Sequence, residues 1–469
     1  MIRNIHRILL PMVAVLAILL GACGKDSLEP RTEKQLDLDD LKSVELLRSL
    51  MDGAYKHMAN DAYYGMTMMP LGEVRADNCL ANQSTLAFAD INAGNIVSDD
   101  SRLQFLWENI YRTISNANAV IARESATLEG DAAEQKHIVG EAYGIRALAH
   151  FDLLRLFGAE HVTGADAGIP YVSSYPVKDP TPPRTPVAQI KEKLYSDLQA
   201  AARLMAPEQA TKDKMNYYAA HHLLARVALW FNDYNTVLKS LDEVDKGFFT
   251  IMPKDQYVES WRKKLNPNSI FELSITAVSS NTFSSISEIY NGSLFGDVAA
   301  TREVSQIFDA GDVRGTTAMI DINQGLQMTK GHLLWFLANV GKYPDHVNHL
   351  DNLVLMRYEE AVLMRAEALY RLNRNAEALN VLNTITSERG AAPHAAIDED
   401  VILLERRREL CFEGFRFDDL ARFHRDVPKC FTPMGILKAN PKYGDKLMAL
   451  PIPLMELQAN ASLKQNPGY

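Results

Sequence analysis

The sequence predicts a mainly α-helical fold of helical hairpins, with a loop-rich region and a few short strands. Apolar residues recur at helical spacing over most of the chain, and short polar breaks divide several of these segments into pairs. Long stretches rich in Asn, Ser, Gly and Asp separate the pairs. Because 47% of the 469 residues are hydrophobic, the chain can bury a large core.

The N-terminal residues indicate a secreted lipoprotein. Arg3 and Arg7 precede an uncharged apolar run that is shorter than the roughly 20 residues of a membrane-spanning helix. Small residues then lead into Cys23, whose thiol can accept a lipid. We therefore predict a signal peptide over residues 1–22, lipidation of Cys23 and a polar tether over residues 23–35. Several acyl chains would hold the protein on a membrane that its body does not cross.

Two consecutive segments predict the first pair of long helices. Residues 107–123 (WENIYRTISNANAVIAR) and residues 141–157 (EAYGIRALAHFDLLRLF) each place apolar side chains at helical spacing. In the second segment Ala147, Phe151 and Leu154 share one side of the helix. We expect these two helices to pack antiparallel.

Two further pairs of segments predict tetratricopeptide-like hairpins. A helix over about residues 186–205 begins with a Thr-Pro cap and leads into the first pair. The pairs are residues 216–231 with 234–244, and residues 362–372 with 376–385, each divided by a short Asn-containing break. Alanines allow the paired helices to approach closely, while Leu and aromatic side chains fill the groove between them.

The stretches between the helices predict where a ligand binds. The helical repeats lie within about residues 101–250 and 352–424, and the variable loops within about 60–100 and 266–350, with a strand near 269–276. Long ordered loops on a rigid scaffold are where binding residues tend to lie. Since no Pro/Gly-rich linker divides the chain, we predict a single body over residues 36–469.

Charge and cysteine content exclude several classes of protein. The net charge of −10 argues against a nucleic-acid partner, which requires a basic face. Cys79, Cys411 and Cys430 are too few and too scattered for a disulfide framework, and whether any two of them pair stays open. The sequence has no CxxC pair and no Gly-rich phosphate loop, so we predict no metal site and no cofactor, and whether calcium binds in the loops stays open.

Several segments, in their order along the chain, resemble the SusD/RagB family of outer-membrane nutrient-binding lipoproteins. They are the lipoprotein signal, WENIYRTISNANAVI (107–121), GEAYGIRALAHFDLLRLFG (140–158), DAGDVR (309–314), MRAEALYRLNRNAEALNVLNTITSERG (364–390), ERRRELCFEGFRFDDLAR (405–422) and LPIPLMELQANASLKQNPGY (450–469). The order and the last two motifs make the resemblance specific. We interpret the charged motif as ion pairs between two helices, and the last motif as an extended docking tail.

The resemblance implies a single bilobed body with four tetratricopeptide-like repeats on one side. That side is expected to face a SusC-like, TonB-dependent outer-membrane transporter, and the variable loops on the other side to hold a nutrient. The resemblance also implies a lipid-anchored protein at the outer membrane, exposed at the cell surface. An oligosaccharide is the ligand that we favour.

The sequence departs from the starch-binding type of this family. Starch-type members hold ligand on aromatic faces, but residues 79–100 contain Phe88 as their only aromatic residue. Trp107, Trp230 and Trp261 lie in helical or helix-adjacent patterns, and we expect them in the core. The candidate ligand-binding residues, each of which also has a structural explanation, are Arg75, Asp77, Asn78, Phe283, Tyr290 and Asn291.

Three alternatives stay open at the level of sequence. Loops with few aromatics and several Asn, Asp and Arg also suit peptide capture. A surface glycoside hydrolase needs two facing carboxyl groups about 5–9.5 Å apart, and Glu73 and Asp77 are the candidates for it. A purely structural helical scaffold would leave the long loops without a role. We expect a binding protein and no enzyme, because no sequence feature marks either carboxyl group as held protonated in an apolar pocket.

Overall fold

The computed structural model describes residues 37–82, 85–291, 296–321, 326–329, 332–335, 337–433 and 435–469. The predicted signal peptide, Cys23 and the tether over residues 23–35 lie outside the described residues. The chain divides into two compact units, residues 1–42 and residues 43–469. In the described part of the first unit, Leu38–Asp40 forms a 3-10 turn, which Asp37 caps by accepting a bond from the backbone N–H of Asp39. Among the helices described, none combines the length and apolar character needed to cross a membrane.

The second unit is mainly α-helical, as the sequence predicts. Polar side chains begin its long helices: Asp100 accepts bonds from the backbone N–H groups of Arg102 and Leu103, and Asp131 accepts one from Ala133. The helices are α1 (Val44–Met58), α2 (Met68–Val74), α3 (Ala89–Ala93), α4 (Ser101–Ile121), α5 (Ala132–Phe157), α6 (Val187–Leu204), α7 (Tyr217–Trp230), α8 (Tyr234–Asp245), α9 (Lys254–Ser260), α10 (Ile286–Asn291), α11 (Tyr358–Arg371), α12 (Asn375–Arg389), α13 (Glu399–Leu410), α14 (Arg416–Arg422) and α15 (Leu454–Ala459).

Helices α4 and α5 pack antiparallel, which confirms the predicted pair. Trp107 on α4 contacts Phe157 at the end of α5, with the ring centroids 4.9 Å apart. Toward the other end of α4, Asn118 accepts a hydrogen bond from Arg146 at 2.9 Å. Both helices begin earlier than predicted, because the aspartate that caps each of them precedes its apolar stripe.

Both predicted tetratricopeptide-like hairpins are present. The first consists of α7 and α8, and the second consists of α11 and α12. The turn of each hairpin contains an asparagine in the left-handed conformation, Asn232 with φ 58° and Asn373 with φ 60°. Asparagine adopts this conformation more readily than other residues with a side chain. Contacts between α8 and α11 join the two hairpins into one layer.

Short antiparallel strand pairs interrupt the helices. The strands are β1 (Cys79–Ala81), β2 (Ser269–Leu273), β3 (Val298–Ala300), β4 (Ile320–Asp321), β5 (Leu326–Thr329), β6 (His332–Trp335), β7 (Ala338–Asn339) and β8 (Leu353–Arg357). They pair as β1 with β3, β2 with β8, β4 with β7, and β5 with β6. Ser269 lies opposite Arg357 and Leu273 opposite Leu353 in the β2–β8 pair. The loop-rich segment between these two strands therefore ends beside its own beginning, directly before α11.

The charged motif at residues 405–422 forms buried ion pairs. Arg406 on α13 pairs with Asp419 on α14 at 2.9 Å, as interpreted from the sequence, and further pairs reach arginines outside the motif. Glu409 on α13 accepts bonds from Arg314, Arg357 and Arg389 at 2.7 to 3.0 Å. Burial alone would raise the pKa of Glu409, but the three arginines outweigh it and hold that pKa well below its usual range. The network ties α13 to α12 and to the segments before α11.

The C-terminal motif docks as a mostly extended tail, interrupted by the short helix α15. The backbone N–H of Leu450 donates to the carbonyl of Leu156 at 2.8 Å. The amide of Asn466 donates to the carbonyls of Phe157 at 2.9 Å and Leu450 at 2.7 Å. These bonds fix the tail against the end of α5.

Candidate functional site

Two loops of the middle region meet at an exposed aromatic side chain. Phe283 is 53% exposed, and its ring centroid lies 5.4 Å from that of His349. Ser280 Oγ donates to the backbone carbonyl of His349 at 2.9 Å, and Ser285 Oγ lies 3.2 Å from His349 Nδ1. These contacts fix the loop of residues 343–352 beside the ring of Phe283.

The loop of residues 343–352 is ordered by its own carboxyl groups. Asp345 accepts bonds from the backbone N–H groups of Asn348 at 2.9 Å and Leu350 at 3.2 Å. Burial would raise the pKa of Asp345, but these N–H groups outweigh it and hold that pKa below its usual range. The backbone N–H of Asp345 in turn donates to Asp351 at 2.7 Å. The loop is therefore held in shape by hydrogen bonds between its own residues.

A cavity of about 350 Å³ opens between this loop and the segment that follows α9. Trp261 packs against the core, as expected, but it is half-buried and also lines this cavity. The sequence signal for it is slight: a Trp-Arg-Lys-Lys run directly follows a short helix and breaks the apolar pattern. The polar lining of the cavity includes Arg262, Lys263, Lys264, Asp345, Asp351 and Asn352.

The carboxyl group of Asp351 lines this cavity. Few neighbouring charges or hydrogen bonds offset the free-energy cost of burying it. Burial raises its pKa to about 7, and neighbouring Asp345 adds to this effect. The N–H of Asp345, Lys264 and His346 each lower the pKa, but together they offset the effect of burial only in part. Asp351 is therefore partly protonated near neutral pH and retains capacity for a further hydrogen bond.

The structure separates the six candidate ligand-binding residues. Phe283 lies in the segment before α10 and Asn291 at the end of α10, where Asn291 Nδ2 is 3.4 Å from His346 Nδ1 in the loop of residues 343–352. The other four side chains are buried, and they form hydrogen bonds with other groups of the protein. Arg75 donates to Leu447, Arg416 donates to Asp77, Arg407 donates to Asn78 and Tyr290 donates to Phe412, at distances of 2.7 to 3.1 Å. We therefore place the candidate ligand contacts on Phe283 and Asn291.

Phe88, the aromatic residue of the loop over residues 79–100, offers no stacking face. Its side chain is buried, and the guanidinium carbon of Arg102 lies 4.5 Å from the ring centroid. This placement agrees with the departure from the starch-binding pattern that the sequence indicates.

The two carboxyl groups considered for hydrolysis lie in the interior. Burial raises the pKa of Glu73 to about 7, although the carboxylate accepts bonds from Asn78 at 2.8 Å and from the backbone N–H of Gly414 at 2.7 Å. Burial would also raise the pKa of Asp77, but Arg416 and a second arginine outweigh it and lower that pKa. The sequence gives no sign of the raised pKa, since the burial that raises it arises only when distant parts of the chain pack around Glu73. Neither carboxyl group is accessible to a glycan.

The three cysteines of the second unit are free thiols. Cys79 and Cys411 are buried, and Cys430 is half-buried. Burial raises the pKa of all three thiols, so they are protonated near neutral pH. We assign them no part in the candidate site.

Two family models match the chain. The model described as the SusD family matches residues 283–469. The model described as starch-binding associating with outer membrane matches residues 26–229. The two matches thus cover both the repeat-containing first half and the C-terminal motifs.

Similar proteins match this chain over most of their length. The SusD-like protein P2 of Formosa agariphila is 22% identical over 97% of this chain and 99% of that protein. A SusD superfamily protein from Bacteroides thetaiotaomicron is 26% identical with a TM-score of 0.81, covering 91% of this chain and 100% of that one. A laminarin binding SusD-like protein has the same fold, with 20% identity and a TM-score of 0.71 over 91% of this chain and 100% of that one. From the two models and these similarities together, the chain belongs to the SusD family.

Proposed function

We propose that this protein captures an oligosaccharide at the outer-membrane surface and passes it, chemically unchanged, to a partner TonB-dependent transporter. The observation that carries the proposal is the exposed ring of Phe283 between two ordered polar loops. A lipid on Cys23 would keep the body at the surface.

The chemistry of the two loops suits a sugar. A sugar ring presents C–H groups that pack on an aromatic face, and hydroxyl groups that require polar partners. Phe283 offers the aromatic face. Asn291 Nδ2 lies 3.4 Å from His346 Nδ1, so a ligand would meet the amide oxygen of Asn291 and Nε2 of His346. We expect weak binding, because an open surface with one exposed ring gains little beyond the cost of association.

The names of similar proteins support a carbohydrate ligand and an outer-membrane location. One matching family model is described as starch-binding associating with outer membrane, and one structural neighbour as laminarin binding. In our proposal the helical repeats face the transporter. This arrangement leaves the loops that carry Phe283 and Asn291 free for ligand.

Capture without chemistry is supported by the burial of Glu73 and Asp77. The different pKa values of these two carboxyl groups suit an acid and a base, but a glycosidase must bring both of them to the scissile bond. Here the side chains are enclosed, and both accept bonds from residues of the α13–α14 region.

Calorimetry on the purified full chain tests the proposal, with panels of oligosaccharides and peptides and mass spectrometry of each mixture afterwards. Saturable binding of an intact oligosaccharide supports it. Binding of peptides alone replaces carbohydrate by peptide as the ligand class. A cleaved product makes the protein an enzyme.

The proposed partner calls for a separate experiment. Chemical cross-linking in outer-membrane preparations, followed by purification of this chain, should recover a TonB-dependent barrel protein. Samples without cross-linker are the control. The transporter contact is contradicted if the cross-linked samples contain no barrel protein together with this chain.

A further inference from the structure

The cavity between residues 260–264 and residues 343–354 is separate from the exposed face of Phe283. Neither Phe283 nor Asn291 lines the cavity, although the same loop bounds both places. Its volume of about 350 Å³ lies within the range of small-molecule sites. The two places meet at neighbouring residues of that loop, since His349 contacts Phe283 while Leu350 and Asp351 line the cavity.

The indole of Trp261 forms an apolar wall of the cavity. Lys342 Nζ lies 4.9 Å and the guanidinium carbon of Arg357 lies 5.8 Å from the ring centroid. Both cations bond to Glu413 in the interior, so they approach the indole from within the protein and hold it in place. Among the described residues, Trp261 Nε1 has no hydrogen-bond partner. The cavity thus has a fixed aromatic wall.

The polar lining of the cavity contains both signs of charge. Asp345 and Asp351 contribute carboxyl groups, and Arg262, Lys263 and Lys264 contribute cations. A ligand with a net charge of either sign would therefore meet groups of its own sign. A hydroxyl group does not have this difficulty, because it donates to a carboxyl group and accepts from an ammonium group.

Asp351 keeps capacity for such a hydroxyl group. Both oxygens of Asp345 accept backbone N–H bonds within the loop. In the described part of the chain, Asp351 accepts one bond, from the backbone N–H of Asp345 to Oδ2 at 2.7 Å. A carboxylate can accept about four hydrogen bonds, so Asp351 is the acceptor that a ligand would use.

We propose that this cavity binds one uncharged sugar unit of the captured oligosaccharide, stacked on Trp261 and donating a hydroxyl hydrogen bond to Asp351. The inference rests on the proposed carbohydrate-binding function and names its substrate class. That class is neutral glycans, in preference to glycans that carry carboxylate, sulfate or amino groups. Phe283 then contacts a neighbouring unit of the same ligand outside the cavity.

Calorimetry on the purified full chain, with neutral oligosaccharides and length-matched uronic-acid, sulfated and amino-sugar oligomers, tests this inference. Asp351→Asn keeps an acceptor for the Asp345 N–H but removes the charge, and Trp261→Phe keeps a smaller ring. Phe248→Ala is the control, because Phe248 lies after α8 and is 91% exposed. We expect both cavity variants to lose about tenfold or more in affinity for the neutral oligosaccharide, and the control to lose none. The ligand-induced change in tryptophan fluorescence should also disappear in Trp261→Phe.

Each other outcome overturns a distinct part of the inference. Tighter binding of a charged oligomer by wild type overturns the substrate class. Wild-type affinity in both cavity variants, with loss in Phe283→Ala, overturns the cavity and leaves the proposed function standing. Failure of folded wild type to bind any glycan overturns both. Circular dichroism melting curves establish that each variant is folded before it is titrated.

Discussion

Arg389 and Glu409 form a bidentate ion pair inside the second unit, with the Nε and Nη2 atoms of the arginine each 2.9 Å from a carboxylate oxygen. Both side chains are fully buried. Arg389 also donates to Glu359 at 2.9 Å and to the carbonyl of Met252 at 2.6 Å. One guanidinium therefore joins α12 to α11, to α13 and to the segment before α9. The position of the second hairpin depends on this group.

Replacement of Arg389 by methionine is expected to lower the free energy of unfolding by about 3 kcal/mol, because it removes two bonds to the buried Glu409 and one to the buried Glu359. Arg314 and Arg357 still pair with Glu409, and Arg357 still pairs with Glu359. Urea denaturation at pH 7 measures this loss. Arg374→Met is the matched control, since Arg374 pairs with Glu377 at the exposed start of α12. We expect little change in the control. Equal stabilities of wild type and Arg389→Met would contradict the role assigned to the network.

Because Asp77 pairs with Arg416, we expect the free energy of unfolding to vary with pH in the acid range. The arginines lower the pKa of Asp77 in the folded chain below that of the unfolded chain. This contribution is present above the unfolded value of about 3.9 and is lost as the pH falls through the folded-state pKa. Asp77→Asn should therefore be less stable than wild type at pH 7, and the difference should shrink below about pH 3. Denaturation curves across this range test it, with the exposed Asp400→Asn as control. A pH-independent difference would contradict the ion-pair explanation.

For Glu73 we expect a pH dependence of the free energy of unfolding that has the opposite sign to that of Asp77. Burial raises its folded-state pKa to about 7, above that of an unfolded glutamate. Its contribution to stability is thus fully present below the unfolded pKa of about 4.3 and is lost as the pH rises through the folded-state value. Glu73→Gln cannot ionise, so the stability of the variant relative to wild type should rise between about pH 4.3 and about pH 7 and level off at higher pH. A constant difference over this range, measured by urea denaturation, would indicate that Glu73 is charged throughout.

The helical part of the fold could be predicted because its signals are local. The apolar stripe of a helix lies within one segment, and the turns at Asn232 and Asn373 lie within a few residues of the helices that they join. The bounds of the predicted hairpins were therefore correct to within about four residues. The largest differences are that α11 begins earlier, at Tyr358, and that α12 ends later, at Arg389.

The candidate site could be predicted only in part, because its geometry is not local. Asp77 and Asn78 are polar residues in a loop-like stretch, yet Arg416, 339 residues after Asp77, binds the carboxylate and Arg407 binds Asn78. Nothing near Asp77 in the sequence reveals these partners. Trp261 likewise becomes a cavity wall only because residues 343–354 fold back beside it.

The predicted lipidation attaches fatty acids at Cys23 and at no other residue of the chain. Cells grown with a fatty acid that carries an alkyne should incorporate the label into wild type, because the thiol and the mature N-terminus are the expected acylation sites. Cys23→Ala should carry no label. Cys430→Ala is the matched control and should be labelled as wild type, since Cys430 lies in the folded body. Label retained in Cys23→Ala would place the anchor elsewhere.

Phe283→Ala tests the exposed face of the proposed ligand site. The ring is largely exposed, so its removal should leave the melting temperature within about 2 °C of that of wild type. The affinity for the captured oligosaccharide should fall about tenfold, because an aromatic contact of this kind contributes on the order of 1 kcal/mol or more. Calorimetry at constant pH measures the change.

Phe248→Ala removes a more exposed ring of the same kind, after α8, and is expected to bind the oligosaccharide as tightly as wild type. The comparison separates a specific contact from a general loss of exposed apolar surface. If Phe248→Ala weakens binding and Phe283→Ala does not, the ligand lies on the helical-repeat side of the molecule. The loops around His349 would then have to be explained by another partner.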